Sequence, residues 1–354
     1  MTTLTRSAAT DTLTAGRLPR FTIPVAAVAS MLVGYPLASL FGGGNLGLAV
    51  ALAFVLYLVA MEVAARVVEG PRQASDRRAA NLITGAFILA LLPLASVAWE
   101  AISKGVARFD VNYFTMSMRN VVGAGGGAVH AIYGTLWVTG MASLISVPIG
   151  LLTAIYLSDY GRGGRLAKSI TFFVDVMTGI PSIVAGLAAY ALMGLLVGPG
   201  TKSAFSGSLA LSVLMIPVVV RSCEEILRLV PNELREASLA LGVPKWLTIV
   251  RIVIPTAISG LISGIILAIA RVIGETAPLL IAAGFTASLN NNPFANPMMT
   301  LPVFVFDSYT RPGTDPQPYW DRAWAGALTL ILIVMILNLI GRLIARRFAP
   351  KTGR

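Results

Sequence analysis

The sequence predicts an all-α, polytopic integral membrane protein with about eight transmembrane helices. Apolar runs of about twenty residues recur along the chain, and that length matches the hydrocarbon core of a bilayer. The composition agrees, because 56% of the residues are hydrophobic and only 12% are charged. An average soluble domain has about a quarter of its residues charged. The composition therefore excludes a soluble enzyme.

Polar segments divide the chain into its predicted spans. The eight spans are residues 21–41, 46–67, 81–99, 132–157, 170–197, 208–220 with a continuation past Arg221, 256–284 and 324–344. We predict a tight turn at 42–45 and a helix break inside the fifth span at Gly179-Ile180-Pro181-Ser182. The predicted domains are a cytoplasmic tail (1–20), a two-helix extension (21–79) and a transmembrane core (80–347).

The basic residues are distributed unevenly between the two sides of the predicted topology. With the tail and alternate loops assigned to the cytoplasm, Arg271 lies within a span and 20 of the 27 Lys and Arg residues face inward. The six that face outward are Lys104, Arg108, Arg119, Lys202, Arg311 and Arg322. This bias is typical of plasma (inner) membrane proteins with basic cytoplasmic loops. It explains the net charge of +11 without nucleic acid, and it places both termini in the cytoplasm.

Few residues of this chain are suited to catalysis or to binding a metal. One cysteine, Cys223, permits no internal disulfide or thiolate metal site, and one histidine, His130, excludes most histidine-based metal sites. The glycine run at 123–127 lacks the Gly-Lys-Ser/Thr ending of a phosphate-binding loop, and no strand precedes it. The sequence predicts no catalytic residue, no metal and no cofactor.

A charged segment at 231–255 separates the sixth and seventh spans and is predicted to form two short helices on the cytoplasmic side. Asn232 is the predicted N-cap, and Glu236 adds negative charge where the helix dipole favours it. Gly242 suits a left-handed position, and Pro244 suits the start of the second helix. The apolar stripe comprises Leu234, Ala237, Leu241, Trp246 and Ile249. Such a loop fits a groove on a partner or a membrane surface.

The order of residues in this loop resembles the EAA signature of ABC-importer permeases. Glu236-Ala237-Ser238 is followed by Gly242 and, at the end of the loop, by Pro255. Ser238 departs from the second alanine that is common in the family. The resemblance implies that Glu236, Ala237, Ser238, Gly242 and Pro255 couple the chain to a cytoplasmic ATPase, which receives this loop in a groove. The alternative is an ordinary solvated loop.

The seventh span contains a charged pair, Arg271 and Glu275. A lone arginine near the bilayer centre costs at least about 2.5–3.5 kcal/mol. The spacing predicts that both side chains share one helix face, while Gly260 and Gly264 allow close packing against a neighbour. One interpretation is an ion pair that fixes helix packing. The other is a transport pathway, since a guanidinium can hold an oxyanion such as phosphate in forked geometry.

Several motifs together resemble the PstA-type permease family of bacterial phosphate importers over about residues 80–345. They are Gly134-Thr135-Leu136, Val147-Pro148-Ile149-Gly150, Gly179-Ile180-Pro181-Ser182 and Arg271-x-x-Gly274-Glu275-Thr276-Ala277-Pro278. The resemblance implies a six-helix type I importer core in which Arg271, Glu275 and Thr276 line the substrate pathway. The two spans within 21–67 have no counterpart in that six-helix pattern.

The same resemblance implies partners. They are a sister phosphate permease subunit, an ATPase dimer that binds ATP and Mg, an extracytoplasmic phosphate-binding protein, and inorganic phosphate as the substrate. This chain would then be a non-catalytic subunit. Two alternatives remain: a permease for another oxyanion such as molybdate or sulfate, and a secondary carrier or membrane enzyme. The last class would require polar clusters in several spans.

Overall fold

The computed structural model describes Gly16, Leu18, Pro19 and residues 21–42, 46–161 and 163–348. Most of the predicted tail (1–20) and most of the predicted turn (42–45) lie outside the described residues. The described residues form helices joined by loops, without a strand, which confirms the predicted all-α fold. Contacts divide the chain into two compact units, Met1–Ala98 and Trp99–Arg354. The predicted domain boundary at 79/80 stays a prediction.

In the first unit, α1 (Thr22–Gly42) packs against α2 (Leu46–Val68), and the next helix, α3 (Pro71–Gly105), continues into the second unit. The third predicted span, 81–99, is therefore too short. Gly70 has a left-handed φ of +91° that ends the preceding turn, and Pro71 then supplies a first helical residue whose φ is preset. The basic segment after Pro71 consequently belongs to a 35-residue helix and not to a loop.

The second unit contains the remaining helices. A 3₁₀ turn (Val106–Arg108) precedes them, and α5 and α11 each adjoin a π-helical turn, at Tyr156–Tyr160 and Ile249–Val253 respectively. In chain order the helices are α4 (Val111–Thr115), α5 (Val129–Ile155), α6 (Arg165–Thr178), α7 (Ser182–Leu196), α8 (Ala204–Arg228), α9 (Asn232–Ala240), α10 (Lys245–Thr248), α11 (Ile254–Val272), α12 (Ala277–Ala282), α13 (Leu301–Thr310) and α14 (Gln317–Phe348).

Helices α5 and α8 form the centre of the second unit and run parallel to each other. The Ser208 hydroxyl donates to the Val138 carbonyl at 3.0 Å, and Gly150 lies against Val219, where an added Cβ would approach Cγ1 to 2.6 Å. The contacts therefore advance in the same chain direction along both helices. Because they are parallel, the chain between the end of α5 and the start of α8 has to return across the full length of the pair.

Helices α6 and α7 make that return as one broken span, bent by 107°. Val174 of α6 packs with Val220 near the end of α8, whereas Ala189 of α7 packs with Ala210 near its start. A re-entrant loop would bring both ends of the pair to the same end of α8, so these contacts favour a crossing over a re-entrant loop. The described residues contain seven single helices that are long and apolar enough to cross a membrane, and the broken pair, counted as one span, brings the number to the predicted eight.

The broken span gives a testable topology. In a background with Cys223 replaced by alanine, Gly164→Cys and Pro199→Cys place thiols in the exposed loops before α6 and after α7. We expect a membrane-impermeant thiol reagent to label Pro199→Cys in intact cells and Gly164→Cys only in inverted vesicles. Labelling of both positions from the same side would contradict a crossing at α6–α7.

Candidate functional site

The helix that carries the charged pair is interrupted between its two charged residues. The structure has a continuous helix over Lys245–Val272 and a separate α12 from Ala277, so the predicted span 256–284 is wrong at both ends. Pro278 occupies the first turn of α12 and cannot donate a helical hydrogen bond to the turn before it. The Glu275 amide donates to the Val272 carbonyl at 3.1 Å as the first helix ends. The expected pairing of Arg271 and Glu275 on one continuous helix face is therefore wrong.

Arg271 and Glu275 nevertheless line the same cavity, which has a volume of about 220 Å³. The Arg271 side chain is exposed and Glu275 is half-buried. Among the residues that the structure describes, no ion pair joins the two. The guanidinium is thus open to the cavity. Thr276, the third predicted pathway residue, does not line it.

Two helix breaks and a proline inside a third helix meet around this cavity. Thr178 and Ser182 reach it from the two sides of the α6–α7 break, Pro217 from the middle of α8, and Arg271 and Glu275 from the α11–α12 break. Because α7 begins at Ser182, the positive end of its helix dipole lies at the cavity. Broken helices of this kind form substrate sites in many transporters, where N-terminal ends approach anionic groups.

Small residues hold these interrupted helices close together. Gly186 of α7 lies so near Pro278 that an added Cβ would be 2.6 Å from the proline Cα. In α11, Gly260 meets Ile226 and Gly264 meets Ser222, both in α8. This confirms the predicted close packing of the seventh span and identifies α8 as the neighbour. The cavity is thus bordered by helices that are in direct contact.

The loop at 231–255 forms the two predicted helices, α9 and α10. Gly242 between them has the predicted left-handed φ, +78°. Asn232 is the first helical residue and Pro231 precedes it at the capping position, so the predicted capping role of Asn232 is wrong. The Asn232 Oδ1 instead accepts a 3.4 Å hydrogen bond from Arg235. Pro255, predicted at the end of this loop, lies inside the first turn of α11.

Most of the predicted coupling residues lie on an exposed surface with apolar side chains. Glu236, Ala237 and Gly242 are exposed, next to Leu241 and Trp246, which are 83% and 61% exposed. Two predicted members differ. Ile249 of the apolar stripe is buried, and Ser238 is also buried, with its hydroxyl 2.8 Å from that of Thr248 in α10. Ser238 therefore joins the two short helices and does not contribute to the exposed surface.

Two arginines, Arg322 and Arg108, hold the glycine run at 123–127 in place. Arg322, predicted in a loop, lies in the first turns of α14 and is only 1% exposed. Its Nη1 donates to the carbonyls of Gly123 and Gly125 at 2.6 and 3.0 Å, and Arg108 donates to the Gly126 carbonyl at 2.7 Å. These glycines therefore present carbonyl acceptors to cations, whereas a phosphate-binding loop presents backbone N–H donors to an anion.

Comparison with known proteins defines the class. Residues 146–354 match the family described as "Binding-protein-dependent transport system inner membrane component". The chain is 46% identical over 276 residues to "Phosphate transport system permease protein PstA 1" of Mycobacterium tuberculosis (strain ATCC 25618 / H37Rv), covering 77% of this chain and 88% of that protein. PstA of Haemophilus influenzae is 38% identical over 260 residues, 72% and 88% of the two chains. The chain belongs to the PstA family of phosphate transport system permease proteins.

Solved structures support the fold. A chain from the inward-facing MetNI methionine ABC transporter superposes with a TM-score of 0.51 at 18% identity, over 63% of this chain and 96% of that one. A chain of a bacterial alginate ABC transporter in complex with its periplasmic protein gives 0.53 at 14% identity, over 82% and 100%. At these identities the likeness concerns the fold alone.

Proposed function

We propose that this chain is the transmembrane permease subunit of an ATP-driven importer of inorganic phosphate, and that it forms half of the translocation pathway. The observation that supports this most directly is the exposed Arg271 guanidinium in the cavity where the α6–α7 break and the α11–α12 break meet α8. Its partners are a sister phosphate permease subunit, an ATPase dimer that binds ATP and Mg, and an extracytoplasmic phosphate-binding protein. Both termini lie in the cytoplasm.

Arg271 supplies the anion contact. Its planar guanidinium donates two parallel hydrogen bonds to a phosphate, a geometry that a lysine ammonium lacks. The start of α7 at Ser182 adds a partial positive charge on another side of the cavity. The exposure of Arg271 suits a transient contact, because a group reached by water binds an anion less tightly than a buried one.

Glu275 favours phosphate over the alternative oxyanions. A carboxylate beside a bound anion repels it, unless the anion carries a proton that it can donate to the carboxylate. Phosphate retains at least one proton at neutral pH, whereas sulfate and molybdate are fully ionised. A cavity that contains both Arg271 and Glu275 therefore suits a protonated oxyanion.

The exposed side of α9 and α10 is the proposed docking surface for the ATPase, with Glu236, Ala237 and Gly242 on that surface. Leu241 and Trp246 provide the apolar area that a helix-in-groove contact requires. ATP hydrolysis takes place in the partner, and this chain has a non-catalytic role.

Transport by the assembled complex tests the function. We expect proteoliposomes that contain this chain with its sister permease, ATPase and binding protein to take up ³²P-phosphate only when ATP is present. Sulfate and molybdate, offered at the same concentration, should not be taken up. ATP-dependent uptake of sulfate or molybdate without phosphate uptake would replace this proposal with the permease for another oxyanion. Phosphate uptake that is independent of ATP would favour a secondary carrier.

A further inference from the structure

We propose that Arg235 is a positioning residue that fastens the coupling loop to the inner ends of two transmembrane helices, so that movement of the loop reaches the Arg271 cavity. This inference rests on the proposed function, because it assigns the route by which an ATPase would act on the pathway. It concerns one buried side chain in α9 and its partner, Asp159. Neither residue belongs to the exposed docking surface.

The Arg235 guanidinium joins α9 to the end of α8, which shortly precedes it, and to Asp159, which is 76 residues away in sequence. Its Nε donates to Asp159 Oδ1 at 3.0 Å, its Nη1 to the Val230 carbonyl at 2.7 Å, and its Nη2 to the Leu227 carbonyl at 2.8 Å. Asp159 lies in the π-helical turn that extends α5, and Leu227 lies in the last turn of α8. One side chain in α9 therefore contacts the ends of both parallel helices.

The chemistry of these contacts makes the junction firm. The Arg235 and Asp159 side chains are only 11% and 3% exposed. Removing either partner of a buried ion pair destabilises the structure, because the remaining charge is left without compensation. The last carbonyls of a helix have no partner within the helix, and a cation is favoured there. Arginine satisfies the carboxylate and two carbonyls together, since its donors form a rigid fork.

The second helix of the coupling loop contacts the same turn of α5. The Lys245 ammonium lies over the Tyr160 ring, 4.8 Å from its centroid, and Tyr160 belongs to the π-helical turn that contains Asp159. Ser238 and Thr248 bind the two coupling helices to each other at 2.8 Å. The coupling loop and the inner end of α5 are thus joined on both sides of the left-handed Gly242.

Helix α8 continues this connection to the cavity. Pro217, about 15 Å along the helix from Leu227 at 1.5 Å per residue, lines the cavity together with Leu214. A displacement of α9 that is transmitted to the end of α8 therefore moves a wall of the cavity. Without the Arg235 junction, we expect the ATPase to dock and hydrolyse ATP while less of that motion reaches α8.

The test measures phosphate uptake per ATP hydrolysed by the reconstituted complex, together with the amount of ATPase that co-purifies. We expect Arg235→Ala and Asp159→Asn to retain co-purification but to lower uptake per ATP by about tenfold, within the usual range of coupling between sites. Arg235→Lys, which keeps the charge without the fork, should give an intermediate ratio. Arg342→Ala removes an exposed arginine from α14, outside the coupling loop, and should leave the ratio unchanged.

Three results would overturn the proposal. They are an unchanged ratio in Arg235→Ala or Asp159→Asn, loss of uptake only in proportion to loss of bound ATPase, and an equal decrease in Arg342→Ala. The second would show that Arg235 supports assembly and not transmission. If the complex with Arg235→Ala does not assemble, the ratio of phosphate uptake to ATP hydrolysis in the isosteric Asp159→Asn variant decides the question. The wild-type complex in the same assay reports separately on the proposed function, since failure there would appear as absent phosphate uptake before any variant is compared.

Discussion

Replacing Arg271 with alanine is expected to abolish ATP-dependent phosphate uptake while the complex still assembles. Arg271 is exposed and, among the described residues, has no ion pair, so its removal should disturb packing little. Arg271→Lys retains the charge but loses the forked contact. We expect it to lower uptake roughly tenfold, equivalent to about 1.4 kcal/mol of lost stabilisation. Uptake is measured with ³²P-phosphate at equal amounts of assembled complex.

A double variant separates a pathway residue from a packing residue. If Arg271 and Glu275 served only to balance each other's charge, Arg271→Ala with Glu275→Ala would recover both stability and transport. We expect the double variant to be stable and inactive. Arg342→Ala, which removes an exposed arginine from α14, is the matched control and should transport normally. Uptake near the wild-type rate in the double variant would contradict the role of Arg271 in the pathway.

Adding one methyl group at Gly134 is expected to destabilise the folded chain severely. A Cβ at this position of α5 would lie 1.9 Å from the Met299 carbonyl oxygen. The segment cannot move away easily, because the neighbouring Leu301 amide donates to the Thr135 hydroxyl at 2.7 Å. Overpacking of this kind costs about 1–3 kcal/mol, occasionally more. We expect Gly134→Ala to lower the Tm and the yield of monodisperse protein in detergent.

A second glycine of the same helix, Gly140, provides a control whose replacement is not expected to lower the Tm. A Cβ added at Gly140 of α5 would have no neighbour within 4 Å among the described residues outside its own helix backbone. Alanine is also favoured over glycine in a helix by about 1 kcal/mol. Gly140→Ala should therefore leave the Tm unchanged or raise it. Equal Tm values for Gly134→Ala and Gly140→Ala would show that the Met299 segment can shift, and that the close contact with α5 does not limit stability.

The sequence predicted the all-α class and the long apolar helices well, because a bilayer requires about twenty apolar residues for each crossing. It predicted their ends less well. The predicted third span began ten residues late, since Arg77 and Arg78 suggested a loop where Pro71 starts a helix. Arg322 was assigned to a loop because it lies two residues before the predicted span at 324, although the helix begins at Gln317.

Contacts between distant residues explain why only part of the site could be predicted. Arg271 and Glu275 were identified because charges are costly within a span, but their position in one cavity depends on a helix break and not on the spacing that suggested it. Arg235 and Asp159 are 76 residues apart, and no local pattern relates them. Ser182 belonged to a predicted break, yet only the packing of α7 against α12 brings it to the cavity.

The break between α6 and α7 has a consequence for hydration. Peptide groups outside a helix are tolerated at membrane depth only where they are buried in protein or line a water-filled cavity. Thr178, Ile180 and Ser182 carry such backbone past the Arg271 cavity, so we expect this cavity to contain water. If phosphate passes through it as proposed, we expect this strongly hydrated anion to exchange only part of its water for the Arg271 guanidinium and to keep the rest.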